Sequence, residues 1–154
     1  MKIRLQDGGG IMVFGLCQMG WIAANIGDKQ MYSTIIDWLS AQYWTNALFT
    51  YHDPNGCFNC DLSGGFQNTI IKGLIYSEPG KLRIFPAKPD SWDKGEISGI
   101  EARGGIHIHK LEWDGAHGKM AVVSCQKQKL NVTLPNGKLQ EVSLPASKET
   151  TIEW

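Results

Sequence analysis

At Gly80 the spacing of apolar residues changes from that of a helix to that of a strand. This switch limits the chain to folds that keep helices and sheet apart along the sequence. Ahead of it, residues 11–26 are apolar on almost every side, the pattern of a helix covered all round by other elements. Asp28 stands where it can cap a second helix, whose Met31, Tyr32, Ile35, Ile36, Leu39 and Tyr43 share one stripe. The tight Gly27-Asp28 turn makes the two an antiparallel pair. A third helix is expected from the spacing of Phe66, Ile70 and Leu74 with Ile71 and Ile75. Ser63-Gly64-Gly65 opens it, and Ser77-Glu78-Pro79-Gly80 stops it near Tyr76. Beyond Gly80, Leu82, Ile84, Ile106, Ile108, Met120, Val122, Leu130, Val132, Leu134, Val142 and Leu144 alternate with polar neighbours. Asp114-Gly115 and Pro135-Asn136-Gly137 read as turns between them. The expected class is α+β, with helices over residues 1–79 and an antiparallel β-sandwich of about seven strands over residues 80–154.

Charge removes two kinds of partner. Fifteen basic and fifteen acidic side chains cancel, which leaves no electrostatic footprint for nucleic acid or for an anionic membrane surface. Residues 11–26 contain Gln18 and Asn25 and fall short of the ~20 apolar residues needed to cross a bilayer. Asp7 and the lack of a small-residue cleavage pattern make the start a poor secretory signal, so none is expected in this chain. Gly8-Gly9-Gly10 lacks the strand and the downstream Gly-Lys-Ser/Thr of a phosphate loop and reads as a flexible entry segment.

The first helix has more to bury than its neighbours can cover. Ile11, Met12, Val13, Phe14, Leu16, Met19, Trp21, Ile22 and Ile26 each contribute about 1.5–3 kcal/mol when buried, so leaving half of them wet forfeits roughly 8 kcal/mol. That is comparable to the ~5–15 kcal/mol that holds a domain folded. The expectation is a larger helical assembly, or self-association through the helical half.

Polar chemistry concentrates around Asp61. It lies at the mouth of the third helix, where unpartnered N–H groups and the helix dipole attract a carboxylate. Asp61 or Ser63 could equally serve only as an N-cap, worth about 1 kcal/mol. Tyr51-His52-Asp53-Pro54-Asn55-Gly56, a polar and aromatic loop segment, precedes it, inside a stretch of about twenty residues without a helix or strand pattern. The other constellations are thin. Cys57-Phe58-Asn59-Cys60 lacks the second pair that structural zinc needs, and Cys17 and Cys125 are too scattered for a disulfide scaffold. His107 and His109 share one strand face with no third ligand nearby in sequence, and read as a solvent face whose Ile106 and Ile108 point inward. Neither a metal nor a cofactor is expected. Asn131-Val132-Thr133 matches a glycosylation sequon by pattern only. Eighteen glycines and six tryptophans permit a sugar site without requiring one.

Three runs in order resemble the C-terminal portion of glycoside hydrolase family 95, the inverting α-L-fucosidases and related α-L-galactosidases. They are residues 58–66 around Asp61; residues 85–92 (Phe85 to Trp92) with Gly95; and residues 99–105 (Gly99 to Gly105) leading to Trp113. The resemblance covers roughly residues 10–124. It implies that the helices are the last part of an (α/α)6 six-hairpin barrel, and that the sandwich is the domain following it. It further implies an inverting hydrolysis in which Asp61 is the general base or a partner of the activated water, with His52 and Asn59 lining the sugar pocket. The general acid and the helper asparagines of the family belong to barrel segments that this chain lacks, so the chain alone is expected to be inactive. Where the common motif has Gln-Ile before the aspartate and Gly-Asn-Phe-Gly after it, this sequence has Asn59-Cys60 and Leu62-Ser63-Gly64-Gly65. The substrate is accordingly a fucoside- or galactoside-containing glycan without further definition. Family members are typically exported, which implies a periplasmic or extracellular location. The competing reading is a non-catalytic carbohydrate-binding or scaffold module, with Trp92 or Trp113 as sugar platform.

Overall fold

The computed structural model describes residues 12–54 and 56–154, so Gly8-Gly9-Gly10, Ile11, the start that read as a poor secretory signal, and Asn55 lie outside the described residues. The chain divides into two units. One runs through Gly73 and takes in Ala87–Pro89; the other comprises Leu74–Pro86 and Asp90–Trp154.

Three helices make the first unit: α1 (Val13–Ile26), α2 (Lys29–Gln42) and α3 (Asp61–Leu74). Gly27 ends α1 in the left-handed conformation (φ 77°), donating its N–H to the carbonyls of Ala23 and Ala24. Asp28 caps α2 as its position predicts, accepting the Met31 N–H at 3.0 Å. The predicted stripe of α2, from Met31 to Tyr43, is buried throughout. Contact between helices depends on missing side chains. A Cβ at Gly20 would stand 2.6 Å from Thr69 Cγ2, one at Gly65 2.7 Å from Cys17 Sγ, and one at Gly73 2.2 Å from the Tyr32 ring. The buried face of α3 is therefore Leu62, Thr69, Gly73 and Leu74; of the expected stripe Leu74 is buried, whereas Phe66 and Ile70 are half-buried. Apolar spacing pointed to the latter pair; close approach through a glycine and a hydrogen-bonded threonine decided otherwise. Tyr32 Oη donates to the Thr69 carbonyl at 2.8 Å, and burial pushes that phenol well above its ordinary range. Among the described residues no helix is long and apolar enough to cross a membrane.

Two four-stranded sheets make the second unit, a β-sandwich. The strands are β1 (Ile75–Glu78), β2 (Lys81–Ile84), β3 (Lys94–Ala102), β4 (Ile106–Asp114), β5 (His117–Ser124), β6 (Gln128–Thr133), β7 (Leu139–Leu144) and β8 (Glu149–Glu153). Their order is β1-β2-β6-β7 in one sheet and β3-β4-β5-β8 in the other. Leu82, Ile84, Leu130, Val132 and Leu144 from the first, with Ile108, Leu111, Met120, Val122 and Ile152 from the second, are buried as its core.

Three expectations are corrected here. The third helix ends at Leu74, not near Tyr76, because Ile75 pairs with Ile84 and Tyr76 with Arg83 in a hairpin. Its turn holds Pro79 and then Gly80 at φ 75°, the proline-glycine order of a type II turn, so the supposed helix stop is a strand connection. Residues 80–154 hold seven strands, β2–β8, as expected, and β1 precedes them as an eighth. The sandwich is not wholly antiparallel: β2 and β6 run parallel (Leu82 beside Val132), since the chain crosses through β3–β5 of the other sheet before returning.

Candidate functional site

The stretch between α2 and α3 has no long element, yet its backbone is paired. Trp44 bridges Thr50 and Tyr51 bridges Phe58. Thr50, itself buried, holds Asn59 from two sides: its carbonyl accepts the Asn59 N–H at 2.9 Å, and its hydroxyl donates to the Asn59 carbonyl. His52 donates its N–H to the Cys57 carbonyl at 2.9 Å, and its own carbonyl accepts the Val13 N–H at 2.8 Å, which ties the loop to the start of α1.

This scaffold brings together all three residues singled out from the sequence. Asp61 is the first residue of α3. Asn59 Oδ1 accepts the Asp61 backbone N–H at 2.5 Å, a side-chain cap of the kind Asn makes two residues ahead of a helix. Because that N–H can only donate, the amide oxygen must face it, and the Nδ2 hydrogens turn the other way. They reach Asp61 Oδ2 at 3.1 Å and His52 Nδ1 at 3.2 Å. His52 Nδ1 is thus an acceptor, and the proton of the neutral ring sits on Nε2. Ser63, Gly64 and Gly65 lie inside the helix and do not open it.

Asp61 is solvent-exposed and borders a hollow of about 240 Å³ lined by Phe14, Cys17, Trp21, Gly64, Gly65 and Asn68. The wall is built by hydrogen bonds. Trp21 Nε1 donates to Thr69 Oγ1 at 2.9 Å, and that hydroxyl donates to the Gly65 carbonyl at 2.7 Å. Burial pushes the Cys17 thiol up to about 11; its hydrogen bond with Thr69 opposes this, and the Asp61 charge adds to it. Sequence reasoning missed Phe14, Cys17, Trp21 and Asn68 as a group. Their one signal is that residues 14, 17 and 21 recur at helical spacing opposite the glycines of α3. An exposed carboxylate at a helix start beside a polar loop can accept hydrogen bonds from a sugar or draw a proton from water.

Cys57 and Cys60 are exposed thiols, and among the described residues no group of three or more His, Cys, Asp or Glu side chains is arranged to hold a metal. A larger cleft, about 740 Å³, lies in the sandwich unit, where Trp113, Trp154, Lys94, Glu96, Glu112 and Lys119 are among its lining residues. Lys110 at 2.7 Å and then Lys119 at 2.8 Å hold the Glu112 carboxyl down at about 2, against an ordinary 4.5. Trp113 is buried: Nε1 donates to the Trp92 carbonyl at 2.7 Å, the ring covers Gly95, and Phe85 packs edge-on at 5.2 Å. It is a packing residue with little face to offer a sugar.

Residues 76–153 match the sequence profile described as glycoside hydrolase family 95, C-terminal domain. The chain is also similar to alpha-L-fucosidase 2 of Arabidopsis thaliana, 34% identical over 67 residues. That alignment spans 43% of this chain and only 8% of the plant protein's length.

Proposed function

The chain belongs to glycoside hydrolase family 95, and from that membership we propose that it is the C-terminal part of an inverting glycosidase acting on α-L-fucosides or α-L-galactosides. Its helices α1–α3 are the closing turns of an (α/α)6 barrel, with the barrel segment ending by residue 79 and the sandwich domain following from residue 80. Asp61 is the general base that draws a proton from the attacking water, Asn59 holds its carboxylate, and His52 borders the sugar. The observation that carries this reading is the single hydrogen-bonded string His52–Asn59–Asp61 beside a hollow.

The hollow supplies one carboxylate. An inverting site needs a second, about 6.5–9.5 Å away, to protonate the leaving oxygen, and the described residues lining the hollow include no other carboxyl. The missing acid and the missing walls come from the rest of the barrel, for which α1 has an uncovered face. Met12, Phe14, Ile22 and Ile26 remain 44–65% exposed, and covering them would contribute roughly 3–6 kcal/mol. The same face would serve self-association if the barrel were absent. The full protein works in the periplasm or outside the cell, as exported members of the family do.

The test has two arms. This chain alone should not turn over an aryl α-L-fucoside. In the longer protein with a complete barrel, Asp61→Ala should lower kcat by roughly 10²–10⁴, and added azide should restore turnover with an inverted glycosyl azide as product. Hydrolysis by the isolated chain, or full activity of the Asp61→Ala enzyme, would overturn the assignment. The alternative, a carbohydrate-binding module using the sandwich cleft, would instead give sugar affinity that Asp61→Ala leaves unchanged.

A further inference from the structure

On the outward face of β4, within the sandwich unit, His107 and His109 stand side by side with ring centroids 4.7 Å apart. Each ring is held by a carboxylate at Nδ1: His107 by Glu101 at 2.5 Å and His109 by Glu149 at 2.8 Å. The sheet explains how both come to one face. Ile106 and Ile108 point inward, and the register then slips between Ile108 and Lys110, so that β4 advances two residues while β5 advances one. His109 is the extra residue of this β-bulge. It stays outward with His107, and the inward series resumes at Leu111 and Trp113. Glu101 lies directly across from His107 on β3, and Glu149 reaches in from β8.

A carboxylate on Nδ1 keeps the ring proton there and leaves the lone pair on Nε2, the arrangement that orients metal-binding histidines. We propose that His107 and His109 chelate one divalent transition ion, copper or zinc, through their Nε2 atoms. The spacing suits it. With a metal–nitrogen bond of about 2.0–2.1 Å and the donor about 1.1 Å from its ring centre, two imidazoles at 90–109° about the ion have centroids roughly 4.5–5.2 Å apart. Nitrogen donors of this softness select copper or zinc over magnesium or calcium. Both side chains are open to solvent (38% and 48%), so an ion can enter, and Glu101 and Glu149 offset part of its charge. Since no third side chain of the described residues completes a ligand group, the remaining positions are filled by water or by an added ligand, as in an exchangeable site.

The experiment uses the full chain with the exposed Cys57, Cys60 and Cys125 changed to serine, titrated with Cu²⁺ alone. Equilibrium dialysis gives stoichiometry and affinity, electron paramagnetic resonance reports bound nitrogens, and circular dichroism checks the fold of every variant. One Cu²⁺ per chain with two-nitrogen hyperfine structure is expected. His107→Gln and His109→Gln should each weaken binding by more than tenfold, and Glu149→Gln by roughly tenfold to a hundredfold. No stoichiometric binding by the parent, or affinity unchanged in the folded His107→Gln/His109→Gln double variant, would overturn the proposal.

Discussion

Asn59→Ala removes three hydrogen bonds at once, and their sizes can be estimated separately. The loss of the acceptor for the Asp61 N–H, at 2.5 Å, amounts to losing a helix cap, about 1 kcal/mol. The donation to the Asp61 carboxylate at 3.1 Å is exposed and contributes only about 0.5 kcal/mol. The 3.2 Å contact to His52 is part-buried and contributes about 0.5 kcal/mol more. Together these make about 2 kcal/mol, or roughly a thirtyfold rise in local opening. Amide hydrogen exchange along α3 reads that rise directly. Asn59→Asp separates the parts, because its oxygen still caps the Asp61 N–H while the donors to Asp61 and His52 are gone and a second carboxylate stands beside the first. Protection in α3 should therefore fall in the order parent, Asn59→Asp, Asn59→Ala. If exchange in Asn59→Ala stayed within twofold of the parent, the cap would be a packing coincidence and the positioning role of Asn59 would go with it.

Two further outcomes follow from the same packing and charges. Gly65→Ala gains about 1 kcal/mol of helix propensity but drives a methyl to 2.7 Å from Cys17 Sγ, at a cost of about 1–3 kcal/mol. In urea unfolding of the helical unit it should be destabilising on its own and close to neutral in a Cys17→Ala background, and equal effects in both backgrounds would refute the clash. Glu112 has a folded-state carboxyl depressed to about 2, so its ion pairs stabilise the sandwich above the ordinary 4.5 and that contribution is lost as pH falls from there through 2. The acid-unfolding profile of Glu112→Gln should be flatter over this window than that of the parent, and parallel profiles would count against the pairing.

The sequence made the interior of each unit legible and the margins poorly so. Apolar spacing reported the buried face of α2 and of the inner strands β2, β4, β5 and β6, which all carried their pattern openly. The strands that escaped notice, β1, β3 and β8, are all sheet edges. An edge strand needs fewer apolar residues and tolerates Glu, Lys and Gly along its length, as Lys94–Ala102 does with Glu96, Gly99 and Glu101, so the period of two is diluted. β1 was hidden for a different reason. Ile75 continues the spacing of α3, and only the pairing of Ile75 with Ile84 decides that it belongs to a strand. Even the β4 bulge leaves a mark in the sequence, since Ile-His-Ile-His-Lys-Leu-Glu-Trp alternates cleanly up to His109 and skips one step at Lys110.

At the site, residue chemistry could be read but not its supports. A polar loop ahead of a helix-opening aspartate suffices to single out Asp61, and the family resemblance adds His52 and Asn59. That Asn59 orients the other two depends on Thr50, which grips the Asn59 backbone from nine residues away. No periodicity reports such a contact. The exposed side of α1 completes the reasoning in the opposite direction. An energy estimate from the sequence found two further helices and one sandwich a thin cover for its apolar surface, and Met12, Phe14, Ile22 and Ile26 are the residues left open. Phe14 belongs both to that uncovered face and to the lining of the hollow beside Asp61. Under the proposed function, covering this face and enclosing the hollow at Phe14 go together, and a partner that did the first without enclosing Asp61 would separate the fold of this chain from the chemistry proposed for it.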